Sequence, residues 1–230
     1  MNLDWLLLPA SIATFLLAQR LQLRLRHPLA NALLWSLLLW VAVLLLLDLP
    51  YSRYYAQTHW LSDLLQAAVV ALGVPLFRQL RAMRHHLPLL LSVTLLSSFC
   101  GLLTAVGLAL VADLEPLVIS ALAPRSVTTP IAVEIAAKLN APLALAALAV
   151  IITGLFGAIF GLPLLERCGI HDKRAQGIAM GATSHALGTA RCAEVSPVLA
   201  AYSALAMVLC ALFTTLLAPW LVPWLVQLWG

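Results

Sequence analysis

Two stretches decide the fold: PRSVTTPIAVEIAAK at residues 124–138 and GATSHALGTARCAE at residues 181–194. Each is apolar enough to enter a bilayer, yet each is interrupted where a spanning helix would run on. In the first, Pro124 and Pro130 bracket Arg125, Ser126, Thr128 and Thr129. Thr129 followed by Pro130 reads as an N-cap with proline at the first helical position, which predicts a half-helix starting there. In the second, a helix is predicted to about Thr183, followed by a polar, glycine-containing break at Ser184, His185, Gly188 and Thr189. Ser196–Pro197 restarts a helix by the same cap logic. Both stretches therefore read as half-helix, polar break, half-helix.

The rest of the chain supplies the solvent for such a pattern. Of 230 residues 63% are hydrophobic and only 10% are charged, against about 25% charged in an ordinary soluble domain. Too few polar residues remain to cover a core of this size, so lipid must cover it. A bilayer span needs about 20 apolar residues. The candidates are residues 3–18, 29–47, 61–77, 87–112, 142–165 and 197–218, the last closed by a Pro219/Pro223 break. The segment 61–77 is interrupted by Asp63, Gln66, Gly73 and Pro75. This predicts an all-α integral membrane protein with about six transmembrane helices plus two re-entrant or broken-helix hairpins, in one transmembrane domain over 1–230. Residues 1–80 form its N-terminal helices, 85–140 the first span plus hairpin, and 142–218 the second span plus hairpin and the last span.

Charge orients the spans. Nine of the thirteen basic residues lie in three clusters: Arg20/Arg24/Arg26, Arg78/Arg81/Arg84 and Arg167/Lys173/Arg174. The positive-inside rule places them in the cytoplasm and the N-terminus outside, with Tyr51, Tyr54, Tyr55 and Trp60 as an outer aromatic belt. Asp4 precedes the first apolar stretch and the arginines follow it, the reverse of a cleaved signal. The span at 87–112 then ends outside and the one at 142–165 starts outside, so residues 115–140 must enter and leave on the same side. Residues 175–194 enter from the other side, or cross as a broken helix. Paired interrupted segments in two inverted halves point to a transporter binding site at their junction.

Arg125, Glu134, His185, Arg191 and Glu194 fall within these segments. Four full charges facing lipid would cost on the order of 10 kcal/mol, so they must pair, bind water or bind a ligand. Arg125 beside Ser126 and Arg191 near Thr189 suit a small carboxylate, which a guanidinium holds through two parallel hydrogen bonds. Alternatively Arg125 pairs with Glu134 and Arg191 with Glu194, as ion pairs that pin the hairpins. His185, Glu134 and Glu194 are candidates for proton coupling; His185 is alternatively a neutral ring bonded to open backbone. Ser184, Thr128 and Thr129 complete the candidate substrate site. Gly177 and Gly181 permit close helix approach. Cys100, Cys168, Cys192 and Cys210 show no paired spacing, and His85/His86 lack partners for a metal. The sequence shows no enzyme motif and implies neither metal nor cofactor. The basic residues form no stripe for nucleic acid.

The two quoted stretches resemble the signature segments of the CidB/LrgB family of bacterial inner-membrane proteins, and the similarity extends over nearly the whole chain. In the span at 61–77 the family usually has proline where Ala67 stands. The resemblance implies two functions. One is a holin/antiholin-like modulation of murein hydrolase activity and autolysis. The other is solute transport, since plastid relatives move glycolate and glycerate and bacterial relatives are associated with pyruvate uptake. It also implies a companion membrane protein of the CidA/LrgA type. Two polar hairpins with arginines favour a carrier for small monocarboxylates, working as a homodimer, with the autolysis modulator as the alternative.

Overall fold

The computed structural model describes residues 3–25, 31–71 and 86–229. Arg26, Arg78, Arg81, Arg84, His85 and the end of the segment 61–77 lie outside them. The described residues are helical, with no strand among them. The chain divides into two compact units, Met1–Val74 and Pro75–Gly230. Among the described residues four helices are long and apolar enough to cross a membrane: Asp4–Leu25, Leu87–Val111, Leu143–Arg167 and Pro197–Leu228. Ala32–Leu46 is a shorter apolar helix.

The first unit holds α1 (Leu7–Leu25, preceded by a 3-10 turn), α2 (Ala32–Leu46) and α3 (Tyr51–Ala71). Asn31 caps α2, its side chain accepting from the Leu34 amide at 3.0 Å. Polar contacts tie the three helices together: Trp40 Nε1 donates to Thr14 Oγ1 at 2.9 Å, Ser11 and Tyr54 hydroxyls meet at 3.0 Å, and Arg53 pairs with Asp4 at 2.8 Å. Helix α3 begins ten residues before the apolar run at 61 suggested, because Tyr51–Trp60 is helical although polar. Tyr51, Tyr55 and Trp60 are exposed as a belt requires, whereas Tyr54 turns inward onto Ser11 and Trp40.

The second unit begins with α4 (Leu87–Val111), then two half-helices, α5 (Pro116–Leu122) and α6 (Thr129–Lys138), joined by the turn 123–128. Helix α7 (Leu143–Phe156) passes through a π-helical turn (Gly157–Gly161) into α8 (Leu162–Arg167). Helix α9 (Lys173–Val195) is capped by Asp172 and broken at His185, and α10 (Pro197–Trp229) completes the unit. Leu102 and Val106 of α4, Ile119 of α5, Ile135 of α6, Val150 of α7 and Val222 of α10 share one buried apolar cluster. Both half-helices of the first interrupted segment are thus held in the core.

Three details depart from the sequence expectation. The cap of α6 is Thr128, one residue early, and its side chain makes no cap hydrogen bond. The break in α9 is one residue wide: Gly188 and Thr189 are helical. A Cβ on Gly188 would lie 2.5 Å from Ser184 Cβ, so this glycine serves close packing across the break rather than forming it. Helix α10 runs through Pro219 and Pro223 to Trp229 without ending, because neighbouring groups and water can satisfy the carbonyls that proline leaves open in a membrane helix.

Helices α9 and α10 approach most closely. A Cβ on Gly177 would lie 2.6 Å from the Leu199 carbonyl oxygen, and one on Gly181 would strike the backbone of Ser203. The Gly177/Gly181 pair is a packing motif, as its spacing suggests.

Candidate functional site

The first break is the turn 123–128. Its backbone closes locally, Arg125 N–H donating to Leu122 O and Val127 N–H to Pro124 O, each at 3.2 Å. Arg125 and Ser126 are half-buried. The Arg125 guanidinium has no ion pair or hydrogen bond among the described residues. Glu134 is exposed and is not its partner. Thr128 is only 8% exposed and its hydroxyl finds no partner. A buried hydroxyl without a hydrogen bond costs about 1–3 kcal/mol, so this tip is built with unspent hydrogen-bonding capacity. Thr129 is half-buried beside it.

The second break centres on His185, 3% exposed, with φ 40° and ψ −133°. A non-glycine residue in that region is strained, and such strain persists only where surroundings enforce it. Here the ring enforces it. His185 Nε2 lies 2.9 Å from the Val150 carbonyl; a carbonyl can only accept, so Nε2 carries the proton. Gly154 makes room, since a Cβ there would sit 2.5 Å from the ring. Buried Ser184 fills the space over Gly157. Thr189 donates to the His185 carbonyl at 2.8 Å, which leaves Ser203 to donate to Thr189 at 2.8 Å. The ring is thus bonded to backbone, but to a carbonyl of α7 rather than to open backbone at the break.

Arg191 stands six residues beyond the break and pairs with Glu194 at 2.6 Å, the two side chains 37% and 43% exposed. Of the two arginines, Arg191 thus forms the ion pair and Arg125 does not. Among the described residues no three His, Cys, Asp or Glu side chains cluster as metal ligands would.

A small cavity adjoins the first break but not the residues of the second, α9 reaching it only at Ala182, three residues before His185. Ser126 of the turn and Ala182 of α9 line it together with Ser97 and Ser98 of α4 and Thr214 of α10. Sequence reasoning missed the last three. The available signal was a serine pair and a threonine inside otherwise apolar spans. The cavity offers about 10 Å³ to the centre of a water molecule, room for one water and not for a carboxylate.

Half-helices broken at mid-chain, apolar spans and a surface rich in exposed leucine define a multi-pass helical membrane protein. The model of the LrgB-like family matches residues 11–224, nearly the entire chain. The chain belongs to the LrgB-like family. It is 34% identical over 209 residues to an uncharacterized protein of Haemophilus influenzae, covering 91% of this chain and 90% of that one. It is 29% identical over 222 residues to the holin-like protein CidB of Staphylococcus epidermidis, covering 93% of each. The holin-like protein CidB of Staphylococcus aureus is similar at 29% over 218 residues. No solved structure matches.

Proposed function

We propose that the chain is a holin-like modulator of murein hydrolase activity and autolysis, acting by protein–protein contact in the bacterial inner membrane beside a CidA/LrgA-type companion. The observation that carries this reading is the similarity to holin-like CidB proteins along 93% of both chains. Deleting the gene is expected to change the rate of detergent-induced lysis, and the wild-type gene to restore it. Unchanged lysis removes this reading.

A second reading is favoured by the turn 123–128. An unpaired guanidinium beside an unpaired buried hydroxyl suits a carrier of small monocarboxylates of the pyruvate, glycolate or glycerate class, bound at Arg125, Ser126, Thr128 and Thr129. Ser184, His185 and Thr189 would border the path, and Arg191 would act through its pair with Glu194. Proteoliposomes with and without the companion should then take up labelled pyruvate, glycolate or glycerate above an empty-vesicle control. No uptake in either preparation removes the carrier reading.

Both readings use one topology, with Arg24 and Lys173 cytoplasmic, Arg53 and Asp113 outside, and the N-terminus outside. Single cysteines at these positions, on a background without native cysteines, should react with an impermeant reagent in whole cells only at 53 and 113. Labelling at 173 overturns the orientation and the re-entry inferred from it.

A further inference from the structure

Helices α1 and α2 leave an open groove of about 530 Å³ between them. Small Ala18 and buried Ser36 form its floor, and exposed Leu17, Leu21, Trp35 and Leu38 form its walls. The two hydroxyls in its lining are already used. Ser36 donates to Ala32 O at 2.6 Å, while Thr14 donates to Ser11 O at 2.9 Å and accepts from Trp40 Nε1. The groove therefore suits an apolar occupant.

Its position along the hairpin is fixed by two bonds. Gln22 Oε1 accepts from the Ala32 amide at 2.7 Å, and Thr14 meets Trp40, so the C-terminal end of α1 lies level with the start of α2. The lining residues of α1 run from Thr14 to Leu21, about 10 Å at 1.5 Å per residue. Beyond Leu17 the same side of α1 turns cationic. Arg20 lies three residues after Leu17 and Arg24 seven, the spacing of one helical stripe. Both arginines are exposed, and neither makes an ion pair or hydrogen bond among the described residues. The sequence holds no acidic residue between Asp4 and Asp48, and Asp4, near the opposite end of α1, pairs with Arg53. The hairpin supplies no counter-charge of its own at this end.

We propose that the groove binds one anionic phospholipid of the surrounding bilayer, with an acyl chain between α1 and α2 and the phosphate on Arg20 and Arg24. An apolar channel that ends at two unmatched cations calls for an amphiphile with a negative head, and a phospholipid supplies both parts in one molecule. Guanidinium holds phosphate through paired hydrogen bonds, and basic residues between helices at the membrane surface select anionic headgroups. Trp35, 53% exposed at the same end, stands where indole rings concentrate. A helix from another protein is 10–12 Å across with its side chains, as wide as the groove is long, and would have to bring acidic groups to the same depth. The proposal rests on neither of the two functional readings.

The test is native mass spectrometry of the purified full-length protein in detergent, titrated with dioleoyl phosphatidylglycerol or dioleoyl phosphatidylcholine. One phosphatidylglycerol per chain should bind roughly 10-fold or more tighter than phosphatidylcholine. Arg20→Gln combined with Arg24→Gln should erase that preference, and Ala18→Phe, which fills the groove, should weaken both lipids. Equal affinities in the wild type overturn the site, as does a preference that survives the double substitution or an Ala18→Phe protein that binds like wild type. A photoreactive benzoylphenylalanine in place of Leu38, illuminated in native membranes, identifies the occupant directly. It should link to lipid; linkage to a second copy of the chain or to any other protein overturns the proposal.

Discussion

Gly181→Ala is expected to remove most of the folded protein from the membrane. The added Cβ would meet the carbonyl oxygen of Ser203 and lie 2.8 Å from its carbonyl carbon and 2.9 Å from its Cα. These are backbone atoms of α10 and cannot rotate aside, so α9 and α10 must part along their length. Overpacking against movable side chains costs about 1–3 kcal/mol; against backbone the loss should reach at least the top of that range. Total stability is only about 5–15 kcal/mol. The control is Gly107→Ala in α4, where a Cβ meets nothing within 4 Å and helix propensity improves by up to about 1 kcal/mol. Size-exclusion profiles of the two detergent-solubilised variants should separate clearly. A monodisperse Gly181→Ala peak at wild-type yield would show that the helices are not in this contact.

Arg125 carries the second large effect, under the carrier reading. Arg125→Ala should weaken carboxylate binding by on the order of 2–5 kcal/mol, since it leaves the bound anion desolvated and unpaired. Arg125→Lys keeps the charge and loses the two-pronged fork, so it should weaken binding less. Because Arg125 forms no pair with Glu134, abundance should hold in both variants. Adding Glu134→Ala to Arg125→Ala should restore nothing. Membrane abundance and carboxylate uptake measured on the same set decide it: a rescued double mutant would reveal a structural ion pair and withdraw the guanidinium from the site.

Sequence disclosed the parts of this architecture that rest on local chemistry. Pro130 and Pro197 mark helix starts because proline fits the first turn, and α6 and α10 begin within one residue of them. The glycine pair at 177 and 181 foretold a close helix contact because its spacing puts both on one face. What stayed hidden depends on distant residues. Nothing near His185 announces that the helix breaks at that residue alone, since the cause is a carbonyl 35 positions earlier and the space left by Gly154. Thr214 is an unremarkable polar residue in an apolar run until α4 and the turn 123–128 are set against it. Arg191 and Arg125 look equivalent in sequence, and only the fold separates the paired one from the unpaired one. The polar start of α3 was missed because its helicity begins ten residues before its apolar run does.

The length of α10 has a consequence for the membrane itself. Its 33 residues span about 50 Å at 1.5 Å per residue, against a hydrocarbon thickness of about 30 Å. Tilt alone cannot absorb the difference, because it would take roughly 53° where helices reach about 40°. Part of the helix must lie among the lipid headgroups. Pro219 and Pro223 deny donors to the carbonyls of Thr215 and Pro219, which then call for water, and Trp220 is 82% exposed beside them with Trp224 one turn on. Indole rings concentrate at that depth. These four residues therefore mark the waterline on the protein, and lengthening the acyl chains should draw the tryptophans into hydrocarbon and shift their fluorescence to the blue.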